Sequence, residues 1–75
     1  MNIPKHDDAC WQSDDWRKKT LIDLMETHGL KAAEVGKVLG QSENTIFCWR
    51  TVTSRPVPAH ALKALMFEIS RGAFV

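Results

Sequence analysis

His6, His28 and His60, together with Cys10 and Cys48, are the side chains best suited to covalent or metal chemistry in this chain. Their spacing argues against both. A structural or catalytic zinc site needs ligands in closely spaced pairs, and His6-x3-Cys10 stands alone. Asp23 and Ser70 form no nucleophile motif with the histidines, and the chain has no glycine-rich phosphate loop. His28 directly precedes Gly29, a position where an imidazole serves a helix C-terminus better than it serves as a general base. An enzyme is therefore not expected, nor a metal, a cofactor or a small-molecule ligand. The remaining chemistry is that of hydrogen-bond donors, acceptors and cations, and its use depends on the elements that carry them.

Those elements read as helices throughout. Residues 1–12 show no period and contain Pro4, which predicts an irregular N-terminal arm, although Trp11 is expected to pack back onto the domain formed by residues 13–75. Ser13 is a good N-cap, with Asp14 and Asp15 in the first turn where the helix dipole favours anions. Trp16, Leu21, Leu24, Met25 and His28 then recur at helical spacing until Gly29. A second helix is predicted from about Lys31 to Leu39, with Ala32, Val35, Val38 and Leu39 as its apolar side and Gly40 as its stop. Ser42 caps a third helix through about Thr51, with Ile46 and Trp49 on one face. The segment TVTSRPVP reads as a loop, because β-branched residues and two prolines resist helix. Pro58 suits the first turn of a fourth helix, whose stripe is Leu62, Leu65, Met66 and Ile69. The expected fold is all-α, a compact bundle of four to five short helices.

Length and charge set the outer limits. Seventy-five residues allow one domain with a thin core. Two cysteines do not make a disulfide framework, so both are expected as free thiols in a reducing cytoplasm. The arm lacks the apolar stretch of a secretory signal, and no apolar run approaches the ~20 residues that span a bilayer. No membrane partner is expected. Net charge is only +1, but its distribution is uneven: Lys5 faces Asp7, Asp8, Asp14 and Asp15 in residues 1–15, which leaves +4 for the rest. A modestly basic domain behind an acidic arm is compatible with phosphate contact.

The stretch AAEVGKVLGQSENTIFCWRT, residues 32–51, meets the steric requirements of a helix-turn-helix. Gly36 falls where the two helices cross and only a small side chain fits. Gly40 sits in the turn, where a left-handed backbone is needed. Val35, Leu39, Ile46 and Trp49 fall where the unit must bury apolar side chains. On these residues, and on the LGQSENTIFCWR stretch above all, the chain resembles the phage Cro and repressor family, also called the XRE family. The likeness runs over roughly residues 16–70. The RPVP segment with its trailing helix also resembles small phage-borne autorepressors, including those associated with anti-CRISPR operons. Three positions depart from the family pattern: Gly36 stands where alanine is usual, at a cost of about 1 kcal/mol of helix propensity, Gln41 where an apolar residue is usual, and Ala32 where glutamine is frequent.

The resemblance implies a lambda-repressor-like DNA-binding domain whose third helix enters the major groove of double-stranded DNA. It implies Ser42, Glu43, Asn44, Phe47 and Cys48 as the base-reading positions. Asn44 suits an adenine N6/N7 edge, Glu43 a cytosine N4 amino group, and Phe47 a thymine methyl. Each has a plainer role open to it: Glu43 as a helix N-terminal anion, Asn44 as a surface amide, Phe47 as core or dimer surface, and Cys48 as a small hydrophobe or a redox switch. Lys31, Lys37, Arg50, Thr51, Thr53, Ser54 and Arg55 are the phosphate-contact candidates, with Lys31 standing in for the family glutamine. One such domain covers one half-site. Specific binding thus implies a homodimer on a near-palindromic operator, with the last helix and the tail Ala73-Phe74-Val75 offering apolar surface for pairing or else completing the core. Repression, and autoregulation in particular, is the expected output. A protein-interaction module such as an antitoxin or inhibitor, which keeps the fold without reading DNA, is the competing expectation.

Overall fold

A computed structural model describes residue 5, residues 7–72 and residue 74. Pro4, His6 and the tail residues Ala73 and Val75 lie outside the described residues. Four α-helices follow one another: α1 (Asp14–Thr27), α2 (Ala32–Leu39), α3 (Glu43–Thr51) and α4 (Ala59–Ser70). Among the described residues there is no strand, and the all-α bundle expected from the apolar periodicity is the fold.

The caps are those the sequence signals. Ser13 Oγ accepts from the Trp16 N–H at 3.1 Å and opens α1. Pro58, extended at φ −64°, precedes α4. Lys31 stands outside α2 as its N-cap rather than as its first helical residue, and its N–H donates to Glu34 Oε1 at 3.1 Å. The arm departs from expectation. Residues Ala9–Gln12 form a 3-10 helix, because the Asp8 carboxylate accepts from the Cys10 N–H at 3.0 Å and caps it.

Leu21, Val35, Ile46, Val57, Leu62 and Leu65 are almost wholly buried, so every α-helix and the loop before α4 contribute to one core. Each such side chain stabilises by about 1.5–3 kcal/mol. A Leu65→Ala cavity, at about 2–5 kcal/mol, would remove a large part of the 5–15 kcal/mol typical of a domain.

Trp11 closes one end of that core. It is buried, meets Trp16 edge to face with ring centroids 5.0 Å apart, and donates from Nε1 to the Lys5 carbonyl at 2.8 Å. Lys63 of α4 places its ammonium 4.9 Å from the centre of the Trp11 ring, a cation–π contact. The end of the arm is therefore part of the domain. Phe74 likewise packs against the core.

Candidate nucleic-acid interface

α2 and α3 make the most extensive helix–helix contact in the molecule, and the turn between them sets their geometry. Gly40 ends α2 in the left-handed region (φ 71°, ψ 29°), where a β-carbon is disfavoured. The Gly36 carbonyl then accepts from the Gln41 N–H at 2.8 Å, which folds the chain back over the helix it has just left. A β-carbon on Gly36 would stand 2.6 Å from the Gln41 carbonyl oxygen and 3.3 Å from the Ser42 carbonyl carbon. Glycine at 36 thus permits the close approach of α2 to the start of α3, and a larger residue would push the main chain apart.

Ser42 opens α3 from an extended conformation, its Oγ accepting from the Thr45 N–H at 3.1 Å and lying 2.8 Å from Thr45 Oγ1. Ile46 and Trp49 turn into the core, and the opposite side of the helix faces outward. Ser42, Glu43 and Asn44 are exposed there, and Phe47 is 53% exposed. Phe47 is therefore a surface residue of the single chain and not part of its core. Cys48 is half-buried, so it sits at the margin of this face.

The side chains of Glu43 and Asn44 take no hydrogen-bond or ion-pair partner among the described residues. Ser42 caps α3 as its position suggests, and Glu43 stands in the first turn, where the helix dipole favours an anion. Ser42, Glu43, Asn44 and Phe47, with Ala32 from the start of α2, line an open depression of about 460 Å³. Ala32 and Thr45 are thus additions to the site. Ala32 forms a wall where a longer side chain would fill the space, and Thr45 holds the Ser42 hydroxyl.

The phosphate-contact candidates divide. Lys31, Lys37, Thr53, Ser54 and Arg55 are exposed. Thr51 is exposed, but its hydroxyl donates to the Phe47 carbonyl at 2.8 Å within α3. Arg50 is half-buried, and its Nε is enclosed without a hydrogen-bond partner. Such a group is costly to bury unless a partner arrives.

Two neighbouring cations of α1 hold this region from behind. Lys18 Nζ donates to the Trp49 carbonyl, to the Val52 carbonyl at 3.1 Å and to the Arg55 carbonyl at 3.3 Å. It supplies a donor to the open carbonyl end of α3 and pins the loop that follows. Arg17 donates from Nε to the Val57 carbonyl at 2.6 Å, and its terminal nitrogens reach the Trp11 carbonyl and Asp14 Oδ1. One end of the loop is thereby tied to α1 by Lys18, and the other by Arg17.

Cys10 and Cys48 are both free thiols. Partial desolvation and the adjacent Asp8 carboxylate push the Cys10 thiol above its ordinary range. The Asp8 carboxyl is held below its ordinary range by the hydrogen bonds it makes at Cys10. Among the described residues, no three or more His, Cys, Asp or Glu side chains come together as a metal-binding group. Among the same residues, no helix is long and apolar enough to cross a membrane. No protein-family model, curated protein or solved structure matches this chain.

Proposed function

We propose that this chain is a sequence-specific double-stranded DNA-binding transcription regulator that reads the major groove with α3. The observation that carries the reading is the division of α3 into two faces. Ile46 and Trp49 anchor one face, while Glu43, Asn44 and Phe47, beside the capping Ser42, are exposed around a depression on the other. Hydrogen-bonding side chains at the exposed start of a short, well-anchored helix are what base-edge recognition requires. Exposed Lys31, Lys37 and Arg55 supply phosphate partners around it.

The regulator acts in the cytoplasm as a homodimeric repressor on a near-palindrome. The half-sites lie about 34 Å apart, because a single α3 spans only one of them. Titration against duplex DNA from immediately upstream of its own gene, beside a scrambled duplex and at two salt concentrations, tests this. Tight binding to the native fragment alone, weakening steeply with salt, is the expected result. Binding to neither duplex at low salt would favour the second reading, a protein-interaction module on the same fold. Exposed Asp7, Asp15 and Glu43 are the observation on its side, since they oppose approach to phosphate.

A further inference from the structure

Resting on the duplex-reading assignment above, we infer that Lys18 of α1 is a positioning residue for DNA recognition. It touches no DNA itself, and it fixes the loop at residues 52–55 against α3 so that base and phosphate contacts are made in one register.

A lysine ammonium has three N–H donors, and three carbonyls take those of Lys18: Trp49, Val52 at 3.1 Å and Arg55 at 3.3 Å. Lys18 is half-buried, whereas Lys31 and Lys37 are exposed. Its donors are thus committed to the protein's own main chain. Trp49 is buried and anchors α3 in the core, so the first of these carbonyls is fixed with respect to the reading helix. Val52 is the extended C-cap of α3, and its carbonyl also accepts from the Arg55 N–H at 3.0 Å. The chain therefore closes into a turn whose first and last carbonyls both reach the ammonium.

Burial does not hold this turn. Residues 52–56 are all exposed, and the next buried residue is Val57, whose carbonyl is tied to Arg17. What sets the distance from α3 to the exposed Thr53, Ser54 and Arg55 is the polar tie to α1. A specific complex seats a reading helix in the groove with its phosphate partners at a fixed distance from it. A loop held beforehand makes those contacts without being ordered at the moment of binding. DNA of unrelated sequence imposes no register, and a free loop reaches phosphate there as readily as a held one. Loss of Lys18 is therefore felt in the operator complex and not in the non-specific one.

The test compares the full chain with Lys18→Met, Arg55→Ala and the double variant. The duplexes are an operator selected by the full chain from a randomised pool and a scrambled counterpart. Circular dichroism at the assay temperature verifies folding, and Lys18→Gln, which keeps an amide donor, serves as a milder variant that should behave in the same way. Lys18→Met should weaken operator binding roughly 5- to 30-fold, the factor that corresponds to ordering the backbone of one loop residue. Binding to scrambled DNA should stay unchanged. Because Lys18 acts through the loop, its effect on the operator should shrink when Arg55 is already alanine. Equal losses on operator and scrambled DNA would make Lys18 an ordinary phosphate contact. Unchanged operator affinity, or losses from Lys18 and Arg55 that simply add, would uncouple it from the loop. Each of these results overturns the inference and leaves duplex reading intact. A pool from which the full chain enriches no sequence overturns both.

Discussion

A β-carbon built on Gly36 falls 2.6 Å from the Gln41 carbonyl oxygen, so any side chain at the crossing of α2 and α3 forces the main chain of the turn to move. Two effects compete on Gly36→Ala. Alanine would stabilise α2 by about 1 kcal/mol of helix propensity, whereas forcing backbone away from backbone costs about 1–3 kcal/mol. The obstruction is main chain and not the end of a flexible side chain, so the steric term wins. Gly36→Ala is expected to lower the melting temperature by several degrees in a thermal scan, at about 4–8 °C per kcal/mol for a domain of this size. Gly40 provides the contrast. It has open space around its α-carbon but φ +71°, so Gly40→Asn, which tolerates the left-handed region, should cost less than Gly40→Val.

Lys18 holds three carbonyls at the end of α3 and in the following loop, at Trp49, Val52 and Arg55. Lys18→Met keeps the aliphatic stem and removes the donor. Hydrogen bonds from a charged group are worth about 1.5–3 kcal/mol when shielded, and partial exposure of this ammonium brings the expected loss nearer to 1 kcal/mol. The more specific outcome is local. Amide hydrogen exchange should accelerate at residues 52–55 while the amides of α1 and α4 keep their protection. Uniform acceleration across all four helices would show that Lys18 supports the global fold rather than this loop.

Much of this arrangement was legible in the sequence because it is local. Ser13 and Ser42 announce their caps through a short hydroxyl placed before an apolar period, and Gly29 and Gly40 both take the positive φ that their positions suggest. The contacts of Lys18 and Arg17 were not legible. Those to the end of α3 and the loop after it span 31 to 40 residues in sequence, and nothing in the composition of α1 distinguishes these two cations from solvated ones. The 3-10 helix at Ala9–Gln12 was missed for a related reason: four residues are too few to show a period, and Asp8 reads equally well as an arm charge or a cap. Ala32 is the subtler case. Its sequence signal is the absence of a long side chain, and only the neighbouring Phe47 turns that absence into a wall.

The arm should respond to acid. The Asp8 carboxyl is depressed below its ordinary 3.8 by its hydrogen bonds at Cys10, so it binds its proton less readily in the folded chain than in the unfolded one. That stabilisation is fully present above the ordinary value and is lost as pH falls through the depressed one. Trp11, whose indole rests between Trp16 and Lys63, reports on the arm. Its fluorescence should shift to the red as pH drops below 3.8. Asp8→Ala should show the red-shifted emission already at neutral pH, with a smaller further change on acidification. An identical acid transition in both proteins would assign it to other carboxylates.

Asn44 and Arg55 separate the two kinds of DNA contact in the proposed function. Both are exposed, so replacing either with alanine should leave the melting temperature within about 1–2 °C of the parent. Asn44 stands beside the depression with an amide that has no other partner, and a bidentate base contact is worth about 1–3 kcal/mol of discrimination. Asn44→Ala should therefore weaken binding to the selected operator roughly 5- to 150-fold, while binding to scrambled DNA stays unchanged. Arg55 lies in the loop that Lys18 pins, where its own carbonyl is held and its guanidinium is exposed. Arg55→Ala should weaken binding to operator and scrambled DNA alike, and should reduce the slope of log affinity against log salt by about 1. The two variants are to be measured by fluorescence anisotropy on the same pair of duplexes at three salt concentrations. If Arg55→Ala changes sequence preference and Asn44→Ala changes only the salt slope, the assignment of α3 to bases and of the loop to phosphates is reversed. If neither variant changes duplex affinity, the exposed face of α3 serves a protein partner instead.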